Sequence, residues 1–395
     1  MEGATESGKS NGALRFQERE YKTILNKLKF IDGWFWCRYT LNPYNGCRFG
    51  CVYCDARSEK YHQPEDFENS IIIKKDPGAM LHERLGRSRT PRPDVIALGG
   101  ATDCYQGAEK KYRNTRGCLQ AILKHGYAAH ILTKSHLALE DLELLREIDA
   151  RSWSAVSFTI TTVNTATSRL LDKRAPDPGK RLRALEEFRR AGVRAGALLI
   201  PLVPGLCDSE KDLRALFGAV RDAGADYILF GGGMTLRDRQ GFWFLEHLQA
   251  ARPELMPLYE DLYGFSFQAC RTAGTYTGRF TPRDEYFREK NALLPALARE
   301  YKLPTRIKRF IPDDFRRLNY IIAERLLNEA YVEQTRGRFR RDLHWAGHNI
   351  QNLRESIAEL KRTGRLASIG NLNGELLERV SRWITEEDDS PGLFN

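Results

Sequence analysis

The stretch Asn42-Pro43-Tyr44-Asn45-Gly46-Cys47-Arg48-Phe49-Gly50-Cys51-Val52-Tyr53-Cys54 decides how this 395-residue chain is read. Its cysteines are spaced C-x3-C-x2-C on a glycine-bearing loop. That spacing lets three thiolates converge on three corners of a cubic 4Fe-4S cluster, whose fourth iron then has no protein ligand and is open to bind something. The same cysteines also read as part of a structural zinc site, which closes with a fourth Cys or His from a second close pair. The sequence holds no such pair: Cys37, Cys104, Cys118, Cys207 and Cys270 stand apart, and His62 is the one histidine soon after the motif.

Around this loop the composition is that of a globular protein. With 42% hydrophobic residues the chain can bury one large core and carry an appendage. No run of about 18 apolar residues occurs, and residues 1–11 are polar and Gly/Ser-rich, unlike a signal peptide. The expected location is cytoplasmic, with no membrane association. Eight cysteines in this length are no secreted disulfide framework, and an open cluster calls for reducing surroundings. The net charge of +10 favours a polyanionic partner.

Residues 1–12 are expected to be disordered and 14–30 to form an outer amphipathic helix. From Trp34 the pattern becomes aromatic and β-prone, so a first strand over 34–41 delivers the chain into the cysteine loop. Apolar runs at 95–98, 129–133, 155–161, 194–200 and 227–230 then alternate with helical stretches at 115–125, 139–148, 179–191 and 209–223. Six βα units result, with every strand's C-terminal end on one face. Those ends carry the unusual residues. Gly99-Gly100-Ala101-Thr102-Asp103 is a turn whose missing side chains let backbone groups approach a ligand's ammonium. Lys134 is either a solvated cation or the partner of a carboxylate. Ser157, Thr159 and Thr161 share one strand face, as ligand-binding hydroxyls or as ordinary strand residues.

The cysteine spacing, with aromatic Tyr53 before the last cysteine, resembles the signature of the radical S-adenosylmethionine (SAM) enzymes. That resemblance implies an α/β fold, a partial (β/α)6 TIM-type barrel. It also implies two cofactors, a 4Fe-4S cluster on Cys47, Cys51 and Cys54 and a SAM molecule cleaved to a 5'-deoxyadenosyl radical. In the family a turn like the one at Gly99, Gly100 and Ala101 holds the SAM amino group; here the acidic residue comes later, at Asp103. Lys134 then becomes a partner for the SAM carboxylate, and the 200–205 segment a face for adenine. A reducing partner such as flavodoxin or ferredoxin is implied as well.

Further motifs are similar to the spore photoproduct lyase-like branch: Asn-Pro-Tyr-x-Gly-Cys, Thr102-Asp103-x-Tyr105-Gln106-x-x-Glu109, Thr115-Arg116, Leu132-Thr133-Lys134-Ser135, Arg174-Ala175-Pro176 with Arg181, and Pro201-x-x-Pro204-Gly205. The branch implies action on a nucleic-acid base, as in lesion repair, ending with hydrogen return from a thiol. Cys104 is the candidate thiol by neighbourhood, the lyase's own donor aligning near Gly100, and Tyr105 is a candidate relay. A protein or small-molecule substrate is the alternative, and a non-catalytic nucleic-acid-binding metalloprotein is a third reading.

The sequence divides as an outer start (1–30), the barrel (31–240) and a basic, largely helical C-terminal extension (241–395). In it, residues 302–341 hold eleven Lys/Arg against five Asp/Glu. Arg306, Lys308 and Arg309, then Arg336, Arg338, Arg340 and Arg341, interleave with aromatic rings and are candidate nucleic-acid-binding residues; a solvated basic face is the plain alternative. Between them a helix is expected over 313–333, capped by Asp313. A loop or hairpin is expected over 267–280, a helix over 349–362 and a solvated acidic end at 386–389.

Overall fold

The computed structural model describes residues 13–87, 92–231 and 233–388, so the expectation for 1–12 lies outside them. Its centre is a seven-stranded sheet. In chain order the strands of the molecule are β1 (Arg15–Arg19), β2 (Leu25–Lys27), β3 (Tyr39–Leu41), β4 (Tyr44–Asn45), β5 (Ser70–Lys74), β6 (Val95–Leu98), β7 (Ala128–Thr133), β8 (Ser154–Thr159), β9 (Arg194–Leu199) and β10 (Ile228–Phe230). The sheet runs β10-β9-β8-β7-β6-β3-β2. Its first six members are parallel, and β2 adds antiparallel to β3. The six parallel strands give the expected partial barrel, which does not close.

Both faces of these strands are buried, which is why they read as continuous apolar runs. Alternate residues go to opposite sides. Ile96, Leu98, Ile131, Val156 and Phe158 pack outward, with Leu119, Ile122, Leu145 and Phe188 of the covering helices. Val95, Ala97, Ala128, Ala155 and Leu229 face the other way, with Trp36, Trp153 and Ile307. On this inner side His130 Nε2 lies 2.8 Å from Ser157 Oγ, and Ser157 Oγ lies 2.7 Å from the Tyr227 hydroxyl. Gly196 is fixed by the same ring, since a Cβ there would stand 2.4 Å from Tyr227.

Burial pushes His130 from 6.5 down to about 4. A histidine kept neutral in the fold but able to charge when unfolded takes up fewer protons in the native state. Stability should therefore rise with pH between about 4 and 6.5, by about 3 kcal/mol in all, and be lost as pH falls through that window. Thermal midpoints measured from pH 4 to 7 should show this slope flattened in His130→Gln.

Five stretches depart from expectation. Residues 14–30 form β1 and β2, not a helix. β1 pairs parallel with β5 in a three-stranded sheet ordered β1-β5-β4, and β2 pairs with β3. Backbone pairing at two sheet edges outweighs a helix-like spacing with no core to bury against. Residues 267–280 hold a short helix, Phe267–Ala273. The expected helix at 313–333 is Arg316–Thr335, and the carboxylate at its entry is that of Asp314, which accepts from Arg316 N at 2.8 Å. The stretch 349–362 is split between the helices Arg341–Gln351 and Ile357–Arg362. At the acidic end, Glu386 and Glu387 belong to the helix Gly374–Asp388, and both pair with Arg325.

The barrel's apolar core continues through Phe244, Tyr259 and Leu294 to Leu303, so residues 241–303 pack with it. A second core begins at Leu318 and runs through Ile322, Leu343 and Ile357 to Ile384. Between the two cores the chain passes the last strand, and Ile228 N donates to Pro304 O at 2.9 Å. Among the described residues, no helix is long and apolar enough to cross a membrane.

Candidate active site

The cysteine loop leaves the C-terminal end of β3 and is held from three sides. Gly46 has φ +74°, and a Cβ on it would stand 2.4 Å from Ser70 O, so only glycine fits. Its carbonyl accepts from the Thr102 hydroxyl and from Gln106 Nε2, and Gln106 Oε1 accepts from Arg48 N at 2.9 Å. Glu109 accepts from the Tyr44 hydroxyl and from the amides of Thr115 and Arg116. The motif around Thr102, Gln106 and Glu109 is thus the cradle of the loop.

A second anchor lies beneath Tyr53. The Tyr53 hydroxyl donates to Asp172 Oδ1 at 2.6 Å, and Asp172 Oδ2 lies 2.7 Å from Arg181 Nη1, both side chains being 1% exposed. Arg181 also donates to Pro176 O at 2.7 Å and to Thr159 O at 3.0 Å. Val52, next to Tyr53, donates from the backbone to Leu171 O. Asp172 is not singled out by sequence, and Arg181 only as a branch mark. A buried acid paired with a base nine positions on has no sequence signal that separates it from a solvated helix face.

The three thiols come together here. Burial pushes Cys47 up to about 12, with Asp103 and then Cys54 adding. Burial raises Cys51 well above the usual thiol range; Lys134 opposes it, and Asp172, Cys54 and Cys47 add to it. Cys54 is raised by burial against Lys134 and Arg57. Cys47 and Cys51 each feel Cys54, and Lys134 is set against Cys51 and Cys54, an arrangement that favours thiolates once a cation is present. Among the described residues, no three His, Cys, Asp or Glu side chains are grouped to hold a single metal ion.

Lys134 Nζ lies 5.3 Å from the Tyr53 ring centroid. Burial opposes its charge, but Cys51 and Asp172 outweigh burial and hold its pKa above the ordinary value. The Asp103 carboxylate is engaged within the protein. It accepts from Tyr105 N, the Thr133 hydroxyl and Lys134 N, and so fixes the end of β7 from which Lys134 projects. Gly99, at φ +95°, would bring a Cβ to 2.2 Å from Leu132 O, whereas a Cβ on Gly100 would meet nothing within 4 Å. Ala101 N is tied to Asn42 Oδ1 at 3.2 Å. Ser157 is taken up by His130 and Tyr227. Thr161 Oγ1 is buried without a partner, as is Arg181 Nη2.

Cys104 and Tyr105 are both enclosed. Cys104 is fully buried beneath Gly99 with Sγ toward Leu132 O, and Tyr105, also buried, donates to Asp141 Oδ2 at 2.9 Å. In the C-terminal part, Arg309 is also enclosed. It donates to Gln351 Oε1 at 2.8 Å and stacks on Trp36 and Tyr320, so it is a core strut and not a free phosphate ligand. Arg306 is half-buried, bonded to Asn328 and stacked between Trp36 and Tyr331. Lys308, Arg336, Arg338, Arg340 and Arg341 are exposed. Arg336 and Arg338 pair with Glu333, and Arg340 with Asp342.

Comparison with known proteins agrees with this layout. The sequence model of the Radical SAM superfamily matches residues 41–217. An uncharacterized protein of Mycobacterium tuberculosis is 32% identical over 254 residues, covering 63% of this chain and 74% of the relative. The chain belongs to the radical SAM superfamily. Another uncharacterized relative, from Methanocaldococcus jannaschii, is 26% identical over 174 residues, 44% of this chain and 63% of that one. Among solved structures, spore photoproduct lyase complexed with dinucleoside spore photoproduct superposes with TM-score 0.54 at 15% identity, over 72% of this chain and 79% of the lyase. At that identity the likeness is one of fold. A radical SAM enzyme uses a 4Fe-4S cluster and SAM, and the residues present fit them: three thiols on one loop, open space at Gly100, and unpartnered polar atoms on Thr161 and Arg181.

Proposed function

We propose that this radical SAM enzyme modifies a base in a nucleic acid by hydrogen abstraction. When bound, the cluster and SAM supply a 5'-deoxyadenosyl radical. Cys47, Cys51 and Cys54 hold the cluster, Gly100 and Ala101 leave room for the SAM amino group, and Lys134 neutralises its carboxylate. Thr159 and Thr161 offer hydroxyl contacts at the end of β8. Asp103 and Asp172 act at one remove, by placing Lys134 and Tyr53.

The observation that carries the substrate class is the exposed Arg336–Arg341 segment, where the Phe339 ring, 56% exposed, is set among four guanidiniums. Cations contact phosphates, and an open ring can stack on a base. A second observation narrows the reaction. Every cysteine outside the loop, Cys37, Cys104, Cys118, Cys207 and Cys270, is buried. That burial favours base modification over a thiol-terminated lesion repair.

The reading is tested with anaerobically reconstituted enzyme, SAM and a reductant. DNA or RNA should raise the yield of 5'-deoxyadenosine over that with protein extract or no substrate, and binding should weaken as salt rises. Equal yields with nucleic acid and without it would sink the proposal.

A further inference from the structure

A large cavity lies away from the cysteine loop. It is an open groove of about 1260 Å³ between the helices Asp284–Glu300 and Arg316–Thr335, floored by residues 302–305 and reaching Phe230 at the end of β10. Arg288, Arg299, Lys302 and Arg336 line it, and no carboxylate does. Arg288 pairs with Glu285 at the surface, the kind of pair that exchanges readily for another anion, and Arg336 shares the half-buried Glu333 with Arg338. Arg299 and Lys302 make no ion pair with a described residue. Between the cations the walls are apolar, with Pro295, Leu303 and Val332 among them.

We infer that this groove is the track of a single nucleic-acid strand, running from the β10 end of the barrel to the exposed Phe339 ring; the inference rests on the nucleic-acid reading above. Three features select the occupant. Four cations with no carboxylate lining the groove beside them call for a polyanion. From Arg288 to Lys302 the helix and its exit span about 20 Å at 1.5 Å per residue, the length of about six stacked nucleotides at 3.4 Å each, within the site sizes of single-strand binders. The apolar walls need base faces to cover them, and only unpaired bases offer theirs; a duplex presents phosphates and groove edges. At its far end the groove passes Arg336 and Gly337, two residues before Phe339.

The test uses full-length protein without cluster, so binding is read apart from catalysis, by fluorescence anisotropy with labelled 12-mers of single-stranded DNA, single-stranded RNA and duplex DNA at several salt concentrations. Wild type should bind at least one single strand at least about 10-fold more tightly than duplex, and the stronger of the two names the source. The variant Arg288→Glu/Arg299→Glu/Lys302→Glu should bind at least about 30-fold more weakly, with a salt slope smaller by about 2, three contacts at about 0.7 each. The milder Arg299→Gln/Lys302→Gln should bind about 5-fold more weakly if the triple variant does not fold. Phe339→Ala should cost about 5-fold or more. The control Lys22→Glu/Lys27→Glu/Lys29→Glu changes charge equally at another edge and should stay within about 3-fold. Duplex bound as tightly as single strands, or groove variants no weaker than the control, would overturn the groove and leave the nucleic-acid reading standing. Wild type that binds none of the three probes would bring down both.

Discussion

Cys51→Ala should retain no 4Fe-4S cluster after anaerobic reconstitution and should cleave SAM at least about 10³-fold more slowly than wild type, a barrier increase of about 4 kcal/mol. Two thiolates cannot replace three on a cluster that must leave one iron free, and among the described residues no other His, Cys, Asp or Glu is grouped to take the place. The informative partner is Cys104→Ala, which removes the same atom five residues beyond Gly99. Its sulfur is buried toward Leu132 O. Iron content, SAM cleavage and product yield should therefore stay within a few-fold of wild type. A Cys104→Ala enzyme that cleaves SAM normally but accumulates an unquenched or misrouted product would restore the thiol-return chemistry and overturn the assignment of Cys104 to packing.

The second large effect is expected at Arg181. Replacing it with methionine leaves Asp172 charged, buried and without its ion-pair partner. Breaking such a pair from one side costs about 3–5 kcal/mol, because the remaining charge is uncompensated. The damage should reach the cysteine loop, since Asp172 is also the acceptor of the Tyr53 hydroxyl. Arg181→Met should lower the thermal midpoint and take up less iron per chain. Asp172→Asn/Arg181→Met should recover part of the stability, as neither charge is then stranded. A midpoint unchanged in Arg181→Met would show that water reaches the pair.

The sequence made the barrel readable because its strands are buried on both faces: Ile96, Leu98, Val95 and Ala97 are all apolar, so the run stands out whichever way each side chain points. The same logic failed at 14–30. Leu14, Tyr21, Leu25 and Leu28 fall at helix-like intervals, but β1 is exposed along its whole length and owes its conformation to the edge of β5, which is distant in sequence. In the site, the cysteines and Lys134 were legible from residue type and strand end. Asp172 was not, since charge alone does not say whether a side chain is paired in the dark or solvated outside. Arg309 shows the converse: it lies in a basic run and yet is 3% exposed, because Trp36 and Tyr320 offer faces that only the fold brings to it.

An open barrel leaves a raw strand edge, and β10 is one. Its first amide is answered by Pro304 O, from a residue that has no N–H of its own to continue a ladder. The contact therefore ends the sheet where another chain could otherwise have added a strand. A chain shortened before this proline would bare the edge along with the apolar surface above it, and its failure would be one of solubility, arising between molecules before any chemistry could be measured.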